Sequence, residues 1–85
     1  MDTSNYKNKP GVYIIFSAKN NRYYIGSTIN LEQRLDYHNK GWVKATRNGM
    51  HWELKFFQIC PDEQIARQVE YQLKKLKRRD YIENI

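Results

Sequence analysis

The chain has 85 residues, which is enough for one small domain and too few for a second module. A domain of this size buries only about 60 to 65% of the surface of its unfolded chain. The 15 Lys and Arg residues outnumber the 9 Asp and Glu residues, giving a net charge of +6 and a pI near 9.6. This excess favours a polyanionic partner such as nucleic acid or an anionic membrane.

The sequence has one cysteine, Cys60, and two histidines. An internal disulfide is therefore excluded, no zinc-ligand spacing occurs, and a free thiol suits a reducing compartment. The longest apolar run is residues 12–16, and no charged-then-apolar segment opens the chain, so we predict neither a signal peptide nor a membrane span. We expect a cytoplasmic protein with a flexible tail over residues 1–9.

A β-hairpin is predicted near the start of the chain. Its first strand, residues 11–16, is apolar at both alternating sets of positions, which is typical of a central strand covered on both faces. A turn rich in Ser and Asn follows, and residues 22–27 return antiparallel. Tyr13 and Tyr24 should lie within reach of one end of a shared surface. Gly26 marks a bulge or a place where another backbone or a ligand approaches closely.

The segment from residue 30 to residue 40 predicts a short helix that begins at an asparagine N-cap and ends before a glycine. Leu31 and Leu35 form its buried stripe. Arg34 and His38 are four residues apart, so their side chains should lie one above the other along the margin of that stripe.

Residues 41–50 predict a loop with one helical turn, because glycines flank a segment too short for a long helix. Lys44 and Arg47 accompany Trp42 here, a mixture of cations and an aromatic ring that can neutralise phosphates and stack on bases. The alternative is that Trp42 covers the core while the cations are simply solvated.

Residues 52–59 predict a third strand, with Trp52, Leu54 and Phe56 on the core face and a far end that is apolar on both faces. The expected fold is α+β: a three-stranded antiparallel sheet, with the first strand in the centre, flanked by helices.

The last long helix is predicted to open at residues 61–63, where a proline break precedes an N-cap and an acidic first turn. Its buried stripe is expected to contain Ile65, Val69, Leu73 and Leu76, with Ala66 beside them. Glu70 projects from the border of this stripe. Lys74 belongs to a basic run that could bind phosphates, although a solvated helix face is the alternative. A docked turn is expected around residues 81–85.

The two hairpin strands carry the tripeptides Gly11-Val12-Tyr13 and Tyr24-Ile25-Gly26. In these motifs, and in the spacing to Arg34 and His38, the chain resembles the GIY-YIG nucleases. The resemblance covers most of the chain, and it implies one catalytic domain over residues 10–85. Its members also bind a metal through a glutamate on a later helix, for which Glu70 is the candidate.

The resemblance implies a catalytic set of Tyr13, Tyr24, Arg34, His38 and Glu70. Mg²⁺ or Mn²⁺ would bind Glu70, since Mg²⁺ needs only one or two carboxylates. Arg34 would hold the scissile phosphate. One tyrosine would act as general base, with a pKa lowered by Arg34 and the metal, and the other would position the phosphate. His38 would relay a proton or bind phosphate.

The resemblance implies a metal-dependent DNA endonuclease, and we expect it to be structure-selective and to act in DNA repair or recombination. Ser27 stands where some family members have lysine, and we expect Ser27, Lys44, Arg47 and Lys74 to contact nucleic acid. The chain resembles the small stand-alone bacterial members, which lack the DNA-recognition domain of homing endonucleases, so we expect specificity to come from DNA structure or from a protein partner. Each residue alone is more often structural than catalytic. The alternatives are a non-catalytic nucleic-acid-binding module and, more weakly, a membrane-surface or protein-interaction domain.

Overall fold

The computed structural model describes residues 9–76, which form the predicted α+β fold. The elements in chain order are β1 (Gly11–Ser17), β2 (Arg22–Thr28), α1 (Leu31–Asn39), a 3₁₀ helix (Lys44–Gly49), β3 (Trp52–Ile59) and α2 (Glu63–Leu76). The three strands make one antiparallel sheet in the order β2-β1-β3, so the prediction of a central first strand is confirmed. Within residues 9–76, no helix combines the length and apolar character needed to cross a membrane.

Each face of the sheet has its own hydrophobic cluster. On the face covered by α2, the buried members are Val12, Ile14, Ile25, Cys60 and Ala66. On the face covered by α1 and the 3₁₀ helix, they are Tyr13, Ile15, Leu31 and Trp52. Strand β1 supplies both clusters because successive side chains point to opposite faces, which explains why its sequence is apolar throughout.

The hairpin register brings Tyr13 directly opposite Gly26. A Cβ atom at position 26 would lie 2.5 Å from the Tyr13 hydroxyl oxygen, so the aromatic ring occupies the space that a side chain would need. The close approach at Gly26 is therefore made by a side chain of the neighbouring strand, and not by a backbone or a ligand as predicted. This glycine sets the position of the Tyr13 hydroxyl at the end of the sheet.

The prediction that Phe56 shares a face with Trp52 and Leu54 is wrong. Ile14 pairs with Phe56 but Ile15 pairs with Leu54, so β3 contains an additional residue at this point. A β-bulge of this kind reverses the alternation beyond it. Phe56 consequently packs in the α2 cluster.

The buried stripe of α2 is narrower than predicted. Ala66 is completely buried, and Val69 and Leu73 pack beside it. Ile65 and Leu76 are exposed, because a helix that presents the small Ala66 to the sheet turns its neighbouring residue about 100° away. The turn predicted around residues 81–85 lies outside the described residues.

Helix α1 has the predicted ends. The Asn30 side chain accepts a hydrogen bond from the Gln33 backbone N–H, and Gly41 takes a positive φ of 76° just beyond the C-cap residue Lys40. The side chain of Asn39 then ties the helix to β3. It accepts from the Trp52 N–H at 2.6 Å and donates to the Trp52 carbonyl at 3.1 Å.

Replacing Asn39 with alanine removes both of these bonds and leaves the Trp52 backbone groups without the side chain that satisfies them. We expect the free energy of unfolding to fall by roughly 1 to 3 kcal/mol in urea denaturation. The matched control is Asn48→Ala, at an exposed asparagine of the 3₁₀ helix, which should change stability by less than about 0.5 kcal/mol. Equal effects of the two substitutions would contradict a stabilising role for the Asn39 hydrogen bonds to the Trp52 backbone.

Candidate active site

The Tyr13 hydroxyl lies at the centre of a buried hydrogen-bonded group. It is 2.8 Å from Nε2 of His38, and it accepts from Nε of Arg34 at 3.4 Å. Tyr13 comes from β1 and the other two residues come from α1, where their spacing of four places both side chains toward the sheet. The structure therefore brings together these three members of the predicted catalytic set.

The second ring nitrogen of His38 contacts a residue that the motifs do not include. Nδ1 of His38 is 2.6 Å from Oγ1 of Thr46, and the Thr46 hydroxyl itself donates to the Val43 carbonyl at 3.4 Å. Where Thr46 donates to Val43, Oγ1 accepts a proton from Nδ1, and Nε2 accepts the hydroxyl proton of Tyr13. The opposite tautomer, in which Nε2 donates to the Tyr13 oxygen and Nδ1 accepts from Thr46, satisfies the same distances.

Tyr24 completes an aromatic wall around this group. Its ring centroid lies 6.3 Å from that of Tyr13, 5.1 Å from that of His38 and 6.4 Å from that of Trp52. Tyr24 is only half-buried, whereas Tyr13 is about 1% exposed, so Tyr24 is the tyrosine nearer to solvent.

Burial raises the pKa of Tyr13 to about 12, and the hydrogen bond and positive charge of Arg34 oppose that shift without cancelling it. Arg34 acts in the expected direction on the pKa of Tyr13, but a net lowering is not seen, because desolvation outweighs the cation. For Arg34 itself, burial alone would lower the pKa, but the interactions with Tyr13 and Tyr24 raise it. At neutral pH the site contains a phenol and a guanidinium.

Burial, together with the positive charge of Arg34, lowers the pKa of His38 to about 4. The imidazole is fully buried and is therefore neutral at neutral pH. A side chain without solvent exposure is better placed to exchange a proton with Tyr13 than to contact a phosphate directly.

Glu70 approaches the same end of the sheet from α2. Ser27 follows Gly26 on β2, so its side chain points to the α2 face, where its hydroxyl donates to Oε1 of Glu70 at 2.6 Å. Oε2 of Glu70 pairs with Nζ of Lys74 at 2.5 Å. Burial, then Tyr24 and least of all the Glu70 charge raise the pKa of Tyr13.

Glu70 is chemically suited to a hard divalent cation. Its carboxylate is about 20% exposed and can accept further bonds beyond those from Ser27 and Lys74. Within residues 9–76, no group of three or more His, Cys, Asp or Glu side chains comes together, so a metal at Glu70 would have fewer than three such protein ligands. Such a set fits Mg²⁺, which keeps several waters and binds through one or two carboxylates.

The four residues predicted to contact nucleic acid divide into two pairs. Ser27 and Lys74 contact Glu70, so the structure assigns both of them to the surroundings of that carboxylate. Lys44 and Arg47 are exposed on the 3₁₀ helix, whose Thr46 contacts His38. Their side chains are accessible to a polyanion beside the active-site group.

Sequence reasoning missed Thr46 as a partner of His38 because no motif links these residues. It also missed Lys19 and Arg22, the cations of a groove with a volume of about 680 Å³ beside Tyr24. The groove is lined by the β1–β2 turn and the 3₁₀ helix, and it contains no acidic residue. The signal in the sequence that could have identified the groove was the pair of cations in and after the β1–β2 turn, close to the candidate residue Tyr24.

Comparison with known proteins gives a consistent family. The family model described as the GIY-YIG catalytic domain matches residues 9–83. A UPF0213 protein of Bacillus cereus (strain ATCC 10987) is 35% identical over 74 residues, which cover 86% of this chain and 76% of that protein. A UPF0213 protein of Clostridium perfringens is 36% identical over 75 residues, covering 87% and 80%. No solved structure gives a significant match.

The buried His38 predicts acid sensitivity of the fold. Below pH 6.5 the unfolded chain protonates this histidine, whereas the folded protein does so only near pH 4. The contribution of the neutral His38 to the free energy of unfolding is therefore fully present above about pH 6.5. It falls between pH 6.5 and pH 4, by up to roughly 3 kcal/mol. Urea denaturation across this range measures the slope.

The matched control is His51→Gln, at the exposed second histidine, which should keep the wild-type slope, while His38→Gln should flatten it. An NMR titration of the His38 ring in the folded wild-type protein measures the same pKa directly. A His38 resonance that titrates near 6.5 would contradict the buried, neutral ring.

Proposed function

The chain belongs to the GIY-YIG catalytic domain family, and from this premise we propose that it is an endonuclease that hydrolyses DNA phosphodiester bonds with Mg²⁺ or Mn²⁺. The observation that carries the proposal is the chain of contacts from Arg34 through Tyr13 to His38, with Glu70 at the same end of the sheet. Cleavage needs charge stabilisation on the phosphate, a proton acceptor and a metal ligand, and these residues can supply each of them.

Arg34 is the phosphate-binding residue in this proposal. Its bond to Tyr13 uses one of five N–H donors, and its interactions with both tyrosines keep it charged in a half-buried site. A guanidinium in such a place can hold two phosphate oxygens at once and stabilise the charge that develops on them. Tyr24, nearer to solvent, would position the same phosphate.

Tyr13 accepts a proton from the attacking water only as it releases its own. With a pKa of about 12 it does not form a phenolate in advance. In the tautomer that carries the proton on Nδ1, the Tyr13 proton would pass to His38 Nε2 in concert with transfer of the water proton to the phenol oxygen, so that no free phenolate forms. A phosphate bound to Arg34 would offset the positive charge that, after burial, lowers the pKa of His38. Thr46 serves as a positioning residue in this tautomer, because its bond to Nδ1 keeps Nε2 unprotonated for the transfer.

Glu70 would hold the metal, with Ser27 fixing one carboxylate oxygen and Lys74 balancing the charge of the other. When bound there, a divalent cation neutralises charge on the phosphate and on the leaving oxygen. Lys19, Arg22, Lys44 and Arg47 would hold the DNA strands on either side of the site. We propose that the enzyme selects DNA structure, acts in repair or recombination, and takes any further specificity from a protein partner.

The test is cleavage of linear, flapped and branched DNA with Mg²⁺ or Mn²⁺. Glu70→Gln should reduce the cleavage rate by at least about 10²-fold, because a neutral amide is a poor metal ligand, while DNA affinity changes little. Arg34→Lys should also lose rate, because an ammonium lacks the forked donor geometry.

Glu63→Gln is the matched control, since Glu63 lies in the first turn of the same helix and pairs with the exposed Arg67. It should cleave at the wild-type rate. Cleavage that persists in Glu70→Gln would overturn the metal assignment. Salt-sensitive DNA binding without cleavage by the wild type under any of these conditions would favour the alternative, a non-catalytic nucleic-acid-binding module.

A further inference from the structure

Trp42 is the most exposed of the large apolar side chains described, at 63%, and this contradicts the alternative prediction that it covers the core. Tryptophan is highly buried on average, so an indole with this exposure in a small domain is a candidate contact for a binding partner. Its ring does not lie alone: the Tyr37 ring centroid is 5.0 Å away, and Nζ of Lys40 lies over the indole at 4.9 Å. We call Tyr37, Lys40 and Trp42 the aromatic platform.

The backbone holds the platform in place. The Trp42 N–H donates to the Tyr37 carbonyl at 3.1 Å, and Gly41 makes the turn between helix and platform with a positive φ. Lys40 also pairs with Asp36 at 2.9 Å, which orients its ammonium group over the indole. The indole is therefore presented to solvent by a defined turn.

The charge around the platform favours a nucleic acid over a protein. Residues 40–50 contain Lys40, Lys44 and Arg47 and no acidic residue. Asp36 on α1 offsets the charge of Lys40, so the net positive charge of this segment comes from Lys44 and Arg47. Lysine is depleted in the cores of protein–protein interfaces, whereas aromatic rings beside cations are the recurrent way to hold unpaired bases and their phosphates. A base can stack on Trp42 while neighbouring phosphates meet these cations.

The platform is also adjacent to the phosphate-binding residue. Tyr37 follows Arg34 by three residues on α1, which is less than one helical turn, so the two side chains are neighbours on the helix surface. A DNA strand whose phosphate is bound by Arg34 can thus bring a nearby base to Trp42, provided that this base is not paired with a second strand.

We propose that the aromatic platform binds an unpaired DNA base next to the scissile phosphate, so that the enzyme prefers DNA with a single-stranded segment at the cut. This inference rests on the proposed function for the identity of the neighbouring phosphate. It assigns to Trp42 a binding role that the catalytic set does not include.

The test measures binding without cleavage, by fluorescence anisotropy in EDTA. The probes are a short oligothymidylate, an abasic oligomer of equal length and a blunt duplex of equal length. We expect Trp42→Ala to weaken oligothymidylate binding by at least about fivefold and Trp42→Phe to retain most of it, because base–aromatic stacking is lost only in the first variant. Binding of the abasic oligomer and the duplex should change by less than about twofold in either variant, because phosphate contacts remain.

Tyr71→Ala is the matched control, because Tyr71 on α2 is 60% exposed and also has a lysine, Lys75, over its ring at 4.7 Å. It should bind oligothymidylate like the wild type. Oligothymidylate should also quench tryptophan fluorescence of the wild type and not that of Trp42→Ala, whose remaining Trp52 is only 7% exposed.

Two results would overturn the platform: wild-type oligothymidylate binding by Trp42→Ala, or an equal loss for the abasic oligomer and the duplex. The outcome is separable from that of the proposed function. If the protein cuts no DNA but shows the Trp42-dependent preference, the base-binding role of the platform stands and the proposed nuclease function fails. If it cuts DNA without that preference, the nuclease function stands and the base-binding role fails.

Discussion

The hydrogen bond between the Tyr13 hydroxyl and Nε2 of His38 is the interaction on which the rest of the site depends. It joins the central strand to α1 inside a dry cluster, and it requires Gly26 opposite Tyr13 and Thr46 on the far side of the imidazole. Removing either partner leaves a buried polar atom without its bond. The fold therefore fixes a neutral tyrosine–histidine pair beneath a charged arginine. At Arg34, burial lowers the pKa, whereas the interactions with the two tyrosines raise it.

This arrangement gives each side of the sheet a different role. The α1 face holds the proton-carrying groups, which are buried and uncharged, with Arg34 at their border. The α2 face holds Glu70, which is partly exposed and bonds to Ser27 and Lys74. Because Gly26 and Ser27 are consecutive on β2, the two faces meet where that strand ends. A phosphate and a cation placed there would contact both sets of residues.

Much of the fold was predictable from local patterns. The apolar first strand, the asparagine cap of α1 and the glycine after it each leave a direct mark in the sequence, and the structure agrees. The bulge before Phe56 and the rotation of α2 about Ala66 were not predictable, because both arise from tertiary packing. Within the site, the motifs identified Tyr13 and Arg34 as neighbours. They could not reveal that burial dominates the Tyr13 pKa or that Thr46 bonds to the histidine ring, since both depend on surroundings assembled from distant segments.

The central claim is that Glu70 and the Tyr13 group serve one metal and one phosphate. Titration of the ¹⁵N-labelled protein with Mn²⁺, followed by NMR, tests it most directly, because a paramagnetic ion broadens the resonances of nearby nuclei. The account predicts that broadening starts at Gly26, Ser27 and the residues around Glu70, and that Glu70→Gln abolishes it. Broadening centred on another carboxylate, such as Asp36 or Glu53, and unchanged by that substitution, would contradict it.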